Sequence, residues 1–214
     1  MVVQAPAFDD QFRAQFRELL AWRRDVRRFK TRPPDPRIIA ELLDLACLAP
    51  SVGNSQPWRF VLVEDLSRRA LVVEDFRRCN DAALSMYSGE LASRYARLKL
   101  AGLQEAPCHL AVFADDTTAA GRGLGRQTMP ATLHYSAVAA VHTLWLAARA
   151  YGLGVGWVSI LSPAEIARVL NVPESWTLIA YLCVGYPEEE HLDPELERQQ
   201  WQERYDISTF VLYR

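Results

Sequence analysis

A chain of 214 residues suits one core of ordinary size; half of its residues are hydrophobic and 23% are charged. A formal net charge of −2 supplies no bulk attraction to nucleic acid or to an anionic membrane surface. No apolar run is long enough to span a bilayer, the start MVVQAPAFDDQFR lacks the pattern of a secretory signal, and Cys47, Cys79, Cys108 and Cys183 show no CxxC spacing, so a reduced, cytoplasmic protein is expected.

Phe8, Phe12, Phe16 and Leu19 recur at helical spacing, with Asp9 or Asp10 as the cap. That helix runs into RRDVRRF, residues 23–29. DPRIIAELLDLACLA predicts a second helix: Asp35 caps it, Pro36 opens it, and Ile38, Leu42, Leu45 and Ala49 share a face that Pro50 ends. A polar loop, SVGNSQP, leads into the strand-like WRFVLVED. Residues 66–99 read as helix with interruptions near Cys79-Asn80 and Ser88-Gly89. CHLAVFAD reads as a strand and GRGLGRQTMP as a loop. The alanine-rich ATLHYSAVAAVHTLWLAARAYG, apolar on more than one side, predicts a buried central helix. GVGWVSIL and WTLIAYLCVGYP predict two more strands. Between them Ser162, Pro163 and Glu165 form a capping-box pattern. A charged tail ends in an apolar segment, which predicts an arm packed on the core or on a partner subunit. Intermixed helices and strands without a repeat predict an α+β fold, a sheet covered by helices.

Most chemical motifs are absent. His109, His134, His142 and His191 make no HExxH, and although His134 and His142 lie about two helical turns apart, no metal site is expected. GLGVGW follows a helix and opens a strand, the reverse of a dinucleotide-binding turn; it predicts a helix C-cap with close backbone packing. GRGLGR lacks the lysine of a phosphate-binding P-loop, and there is no GxSxG elbow. Arginine dominates the cations, since only Lys30 and Lys99 occur. RRDVRRF sets four arginines around Asp25. A phosphate-like anion would satisfy several of them by charge-assisted hydrogen bonds. The plainer alternative is a solvated basic helix end with Asp25 pairing Arg24 or Arg28. The loop offers Ser51, Asn54, Ser55 and Gln56 to the edge of a planar heterocycle, and Gly53 permits an unusual backbone.

Taken together, RRDVRRF, LAPSVGNSQPWRFVLV and GLGVGWVSIL resemble, in order and spacing, the three flavin-contacting segments of the nitroreductase-type flavoproteins. The resemblance covers nearly the whole chain. It implies a single nitroreductase-like α+β domain over residues 1–214, with a mostly antiparallel central sheet and FMN at a homodimer interface. By position, Arg23, Arg24 and Arg27 would clamp FMN beside Asp25 and Val26. Pro50, Ser51, Gly53, Asn54 and Gln56 would meet the ribityl chain and ring edges. Trp157, Val158 and Ser159 would run beside the ring, with Ser159 near N5. A basic residue near the end serves the phosphate in some relatives; Arg198 and Arg204 are both in range, and neither is assigned.

Asp25 stands where many relatives carry serine. There, and in GWVSIL and the tail, the chain resembles one branch, the 5,6-dimethylbenzimidazole synthases. That resemblance implies O₂-dependent fragmentation of reduced FMN to 5,6-dimethylbenzimidazole, the lower ligand of vitamin B12, and erythrose 4-phosphate. Asp25 would be the general base and acid, its basicity controlled by the arginines against desolvation; Ser159 would assist at N5. A lid insertion over residues 80–106, with Met86 and Leu98 on the ring, and a C-terminal arm over residues 187–214 are expected. A covered ring implies that NAD(P)H acts only through a separate flavin reductase. The rivals are an NAD(P)H-dependent nitroreductase or flavin reductase, a halotyrosine dehalogenase, to which Glu90, Tyr95 and Lys99 are only superficially similar, and a flavin carrier.

Overall fold

The computed structural model of the protein describes residues 4–214. Its regular elements are α1 (Asp10–Trp22), α2 (Pro36–Ala46), β1 (Trp58–Leu62), α3 (Leu66–Leu84), α4 (Gly89–Arg97), β2 (Cys108–Asp115), α5 (Thr132–Ala150), β3 (Gly154–Val158), α6 (Pro163–Leu170), β4 (Trp176–Gly185) and the short α7 (Glu195–Arg198). The four strands form one antiparallel sheet in the order β1-β2-β4-β3. This is the helix-covered antiparallel sheet expected from the sequence.

Alternation along the strands divides the core into two layers. Ala111, Phe113, Tyr181 and Cys183 face one way and pack with Phe29, Val72 and Ile166 beneath α3 and α6. Leu110, Val112, Leu182 and Val184 face the other way and pack with Leu42, Val141 and Leu144 beneath α2 and α5. Both layers are closed to solvent, so substitutions in either are felt through a close-packed interior. No described helix is long and apolar enough to cross a membrane.

Asp9 and Asp35 cap α1 and α2, accepting from Phe12 N and Arg37 N, as their positions predict. Two local readings differ. The helix α3 runs unbroken through Cys79-Asn80, because the Asn80 side chain accepts the Tyr95 hydroxyl at 2.9 Å instead of competing for its own backbone. The capping box at Ser162 does not form. The Asp75 carboxylate reaches over from α3 to accept Ser162 N at 2.8 Å, and Glu165 turns to Arg168. At the end of α5, Gly152 takes φ 70 and Leu153 N donates to Ala148 O at 2.8 Å, the C-cap predicted from GLGVGW.

One contact positions the site. The chain after α1 lies parallel to β3, with Val26 N donating to Val155 O at 3.0 Å. Gly156 makes this approach possible, since a Cβ there would sit 2.1 Å from Val26 O. Gly156→Ala is therefore expected to cost more than the ~1–3 kcal/mol usual for an overpacked core. Urea unfolding measures it; a loss below about 1 kcal/mol would contradict the close approach.

Candidate active site

Each arginine of RRDVRRF has a different partner. The Arg27 side chain is only 10% exposed; its Nε donates to Asp25 Oδ2 at 2.8 Å and its Nη1 to Lys99 O at 2.8 Å. Arg28 meets Glu189 and Glu195 at 3.0 and 3.2 Å. Arg24 Nε donates to Leu192 O at 2.7 Å. Arg23 lays its guanidinium 4.8 Å over the Trp145 ring. The plainer pairing of Asp25 with Arg24 or Arg28 is thus not what the fold adopts.

Asp25 is held on both carboxylate oxygens. Oδ2 accepts from Arg27, and Oδ1 accepts from the Trp157 backbone N–H at 2.9 Å. Both contacts favour the charged form, but burial outweighs them and holds the carboxyl above its usual range. In that competition desolvation is the largest contribution, although the Asp25 side chain keeps 32% of its exposure.

Arg23 and Arg204 make no side-chain hydrogen bond or ion pair with the described residues. Burial lowers the Arg23 guanidinium pKa; Asp25 opposes this and Arg204 adds to it. Burial likewise lowers Arg24, with repulsion from Arg204 and then Arg23 added. Asp193 and Glu197 oppose the lowering at Arg24, so the three guanidinium groups share a neighbourhood with Asp25, Asp193 and Glu197. Arg204 was reachable from sequence only as one of two basic residues near the end. In the fold Arg204 lies near Arg23 and Arg24, and Arg198 lines the cleft.

The cleft beside Asp25 is lined by Arg24, Arg27 and Arg28 on one side and by Glu195 and Arg198 of the arm on the other. The strand β3 ends at Val158, which is buried. Trp157 packs on Trp145 with ring centroids 6.3 Å apart. Ser159 lies just past the strand, exposed. Asp25 and Val26 are thus held against β3, where Asp25 meets Trp157 N, while Val158 and Ser159 follow further along the chain.

The loop of Pro50, Ser51, Gly53, Asn54 and Gln56 lies elsewhere. Gly53, Asn54 and Gln56 all have positive φ, at 57, 54 and 45°. The conformation is enforced from outside: a Cβ at Gly53 would sit 2.9 Å from Leu124 O, Ser51 Oγ accepts Gln56 N at 3.1 Å, and Ser136 Oγ accepts Val52 N at 3.0 Å. The buried Ser55 hydroxyl has no partner among the described residues. Trp145, nine positions beyond Ser136 on α5, donates to Arg24 O at 3.3 Å. The helix therefore separates the two groups by ~14 Å along its axis and half a turn around it. One chain does not bring this loop to Asp25.

Leu98 is half-buried and precedes the Lys99 carbonyl that Arg27 holds. Met86 stands 85% exposed. Glu90, Tyr95 and Lys99 do not converge on a ligand: they are tied to Arg94, Asn80 and Glu105 respectively.

Comparison with known proteins agrees with this geometry. The sequence profile described as the Nitroreductase family matches residues 20–186. Over 199 residues the chain is 57% identical to a 5,6-dimethylbenzimidazole synthase of Rhodospirillum rubrum, spanning 93% of this chain and 94% of that protein. A synthase of the same name from Rhodobacter capsulatus is 48% identical over 196 residues, spanning 92% and 95%. Among solved structures, oxidized iodotyrosine deiodinase bound to FMN and 3-iodo-L-tyrosine superposes with a TM-score of 0.72 at 27% identity, covering 92% of this chain and 97% of that one. The chain belongs to the nitroreductase family.

Proposed function

We infer that this protein catalyses the 5,6-dimethylbenzimidazole synthase reaction, the O₂-dependent fragmentation of reduced FMN to 5,6-dimethylbenzimidazole and erythrose 4-phosphate. The observation that carries this reading is the 57% identity to the Rhodospirillum rubrum synthase over nearly both full lengths. When bound, reduced FMN supplies the electrons for O₂ and the carbon skeleton of the product.

The residues fit that substrate. Arg23, Arg24 and Arg204 hold the phosphate, which supplies the negative charge their mutual repulsion calls for. Ser51, Asn54 and Gln56 contact the ribityl chain and ring edges from a second copy of the chain, because α5 separates them from Asp25 within one copy. A homodimer also accounts for the exposed Phe8, Phe12 and Phe16 along α1 and Tyr135 and Val138 on α5. Asp25 accepts and returns the protons of bond cleavage; a carboxyl held above its usual range takes up a proton more readily than an ordinary one. Arg27 and the Trp157 N–H fix its orientation. Ser159 hydrogen-bonds to the ring. Residues 80–106 form the lid and residues 187–214 the arm, and a flavin reductase supplies the reduced FMN. The alternative, an NAD(P)H-dependent nitroreductase, would oxidise NAD(P)H rapidly on its own.

Reduced FMN loaded without air and then exposed to O₂ is expected to yield 5,6-dimethylbenzimidazole, identified by mass. Recovery of intact FMN alone would overturn the reading. Asp25→Asn is expected to bind FMN normally yet lose product formation by about 10²–10⁴-fold; Ser159→Ala is expected to slow single turnover. Equal product from Asp25→Asn would remove the proton role.

Arg204→Ala is expected to weaken FMN binding by about 10–100-fold, as for a lost hydrogen bond between charged groups, and to lower its salt dependence. Riboflavin, which lacks the phosphate, should bind the variant and the parent alike. An equal loss for riboflavin would place Arg204 away from the phosphate.

The raised Asp25 pKa also fixes a sign. In the free protein the folded chain keeps this proton to higher pH than the unfolded chain, so its contribution is full at acid pH and is lost as pH rises through the ordinary carboxylate range to the raised value. Asp25→Asn should therefore gain stability relative to the parent across that window and stay level above it. Urea unfolding from pH 4 to pH 8 reads the trend, and the opposite slope would show that Arg27 dominates burial.

A further inference from the structure

The arm does more than line the cleft. After β4 it is held by Glu188 N donating to Arg28 O at 3.1 Å, by the Arg28 ion pairs to Glu189 and Glu195, and by Arg24 on Leu192 O. It then ends α7 in a tight reversal. Gln200 takes φ 55, Gln200 N donates to Glu197 O at 2.9 Å, and Trp201 N donates to Leu196 O at 2.8 Å. This left-handed residue turns the Trp201 ring onto the region before β2. Its ring lies edge-on to Tyr87 at 5.6 Å and 88°, and against Tyr95 at 6.0 Å and 63°. Tyr87 and Tyr95 themselves lie 4.9 Å apart. Arg94 closes the contact by donating to Gln200 O at 3.1 Å.

The helix α4 is thus held at both sides. Its far end leads to the Lys99 carbonyl, which Arg27 grips with the same guanidinium that holds Asp25. Its aromatic face is held by Trp201. Few other contacts restrain it: its polar face is in water, and of its residues only Tyr95 is buried. An element with so little core of its own opens locally at low cost.

We propose that Trp201 is a positioning residue: it latches α4 to the arm beside the Asp25 cleft, where Arg27 holds the Lys99 carbonyl, so that electrons passing to O₂ end in the fragmented product and not in free hydrogen peroxide. The proposal rests on the synthase reading above. The competing outcome is balanced: reduced FMN gives two electrons and two protons to O₂, leaving oxidised FMN and H₂O₂. An open cover favours it by letting bulk water reach the site before cleavage.

The test uses full-length Trp201→Ala, Trp201→Phe and Tyr87→Ala. Each is loaded with reduced FMN, mixed with O₂, and assayed for 5,6-dimethylbenzimidazole and H₂O₂ per flavin oxidised. Hydrogen exchange over residues 87–97 is read in parallel on the same FMN-loaded samples. Loss of two aromatic pairs is expected to speed exchange there by about tenfold or more and to lower the product-to-peroxide ratio by a similar factor. Trp201→Phe should restore most of both. Tyr87→Ala should mimic Trp201→Ala, and the double variant should be no worse than either, since both break one contact. Faster exchange with an unchanged ratio would make Trp201 structural only and overturn the proposal, as would unchanged exchange. A parent protein that makes no benzimidazole would defeat the reaction itself, and the exchange data would still report on the latch.

Discussion

The site depends on one half-buried carboxylate with a fixed direction. Asp25 is gripped through both oxygens, by the Arg27 guanidinium and by the Trp157 N–H. That second bond exists only because the chain after α1 runs against β3, and Gly154 and Gly156 leave the space for it. A side chain at either glycine would meet Val26 and push Asp25 off the strand. Backbone spacing, side-chain orientation and proton affinity are therefore one problem. Partial burial at the same place raises the proton affinity of Asp25 above that of an ordinary carboxyl.

Arg27 extends this constraint outward. It binds Asp25 and the Lys99 carbonyl together, so the acid and the end of the cover are joined by one planar group. Lysine has no such fork and could not hold both in fixed geometry. On the other side of the cleft the arm is tied to Arg24 and Arg28, while Arg23 is left over a tryptophan face without an ionic partner. One short run of arginines thus divides its work between orienting the acid, anchoring the arm and stacking on Trp145.

The loop at residues 50–56 shows the opposite economy. Three of its residues sit at positive φ, and the glycine-rich turn at residues 121–125 presses on Gly53 from behind. The loop is held firmly and placed across α5 from Asp25. GRGLGR, which carries no phosphate-binding signature, finds its use there: Gly121 fits against Gly53 with no room for a Cβ.

By itself the sequence determined the elements and the identities of the chemical groups. Helix starts at Asp9 and Asp35, the strands CHLAVFAD and WTLIAYLCVG, and the C-cap at Gly152 were legible because each rests on local patterning or local backbone geometry. Resemblance to a flavoprotein family gave the candidate residues, Asp25 above all. Only the tertiary structure decided which arginine holds Asp25, that burial outweighs that arginine, that Asp75 supplants the Ser162 cap, and that the loop at residues 50–56 faces away from the acid within one chain. Arg204 and Trp201 likewise emerged only when the tail folded back on α1 and α4. These are long-range juxtapositions and desolvation effects, and neither leaves a periodic or local trace in the order of residues along the chain.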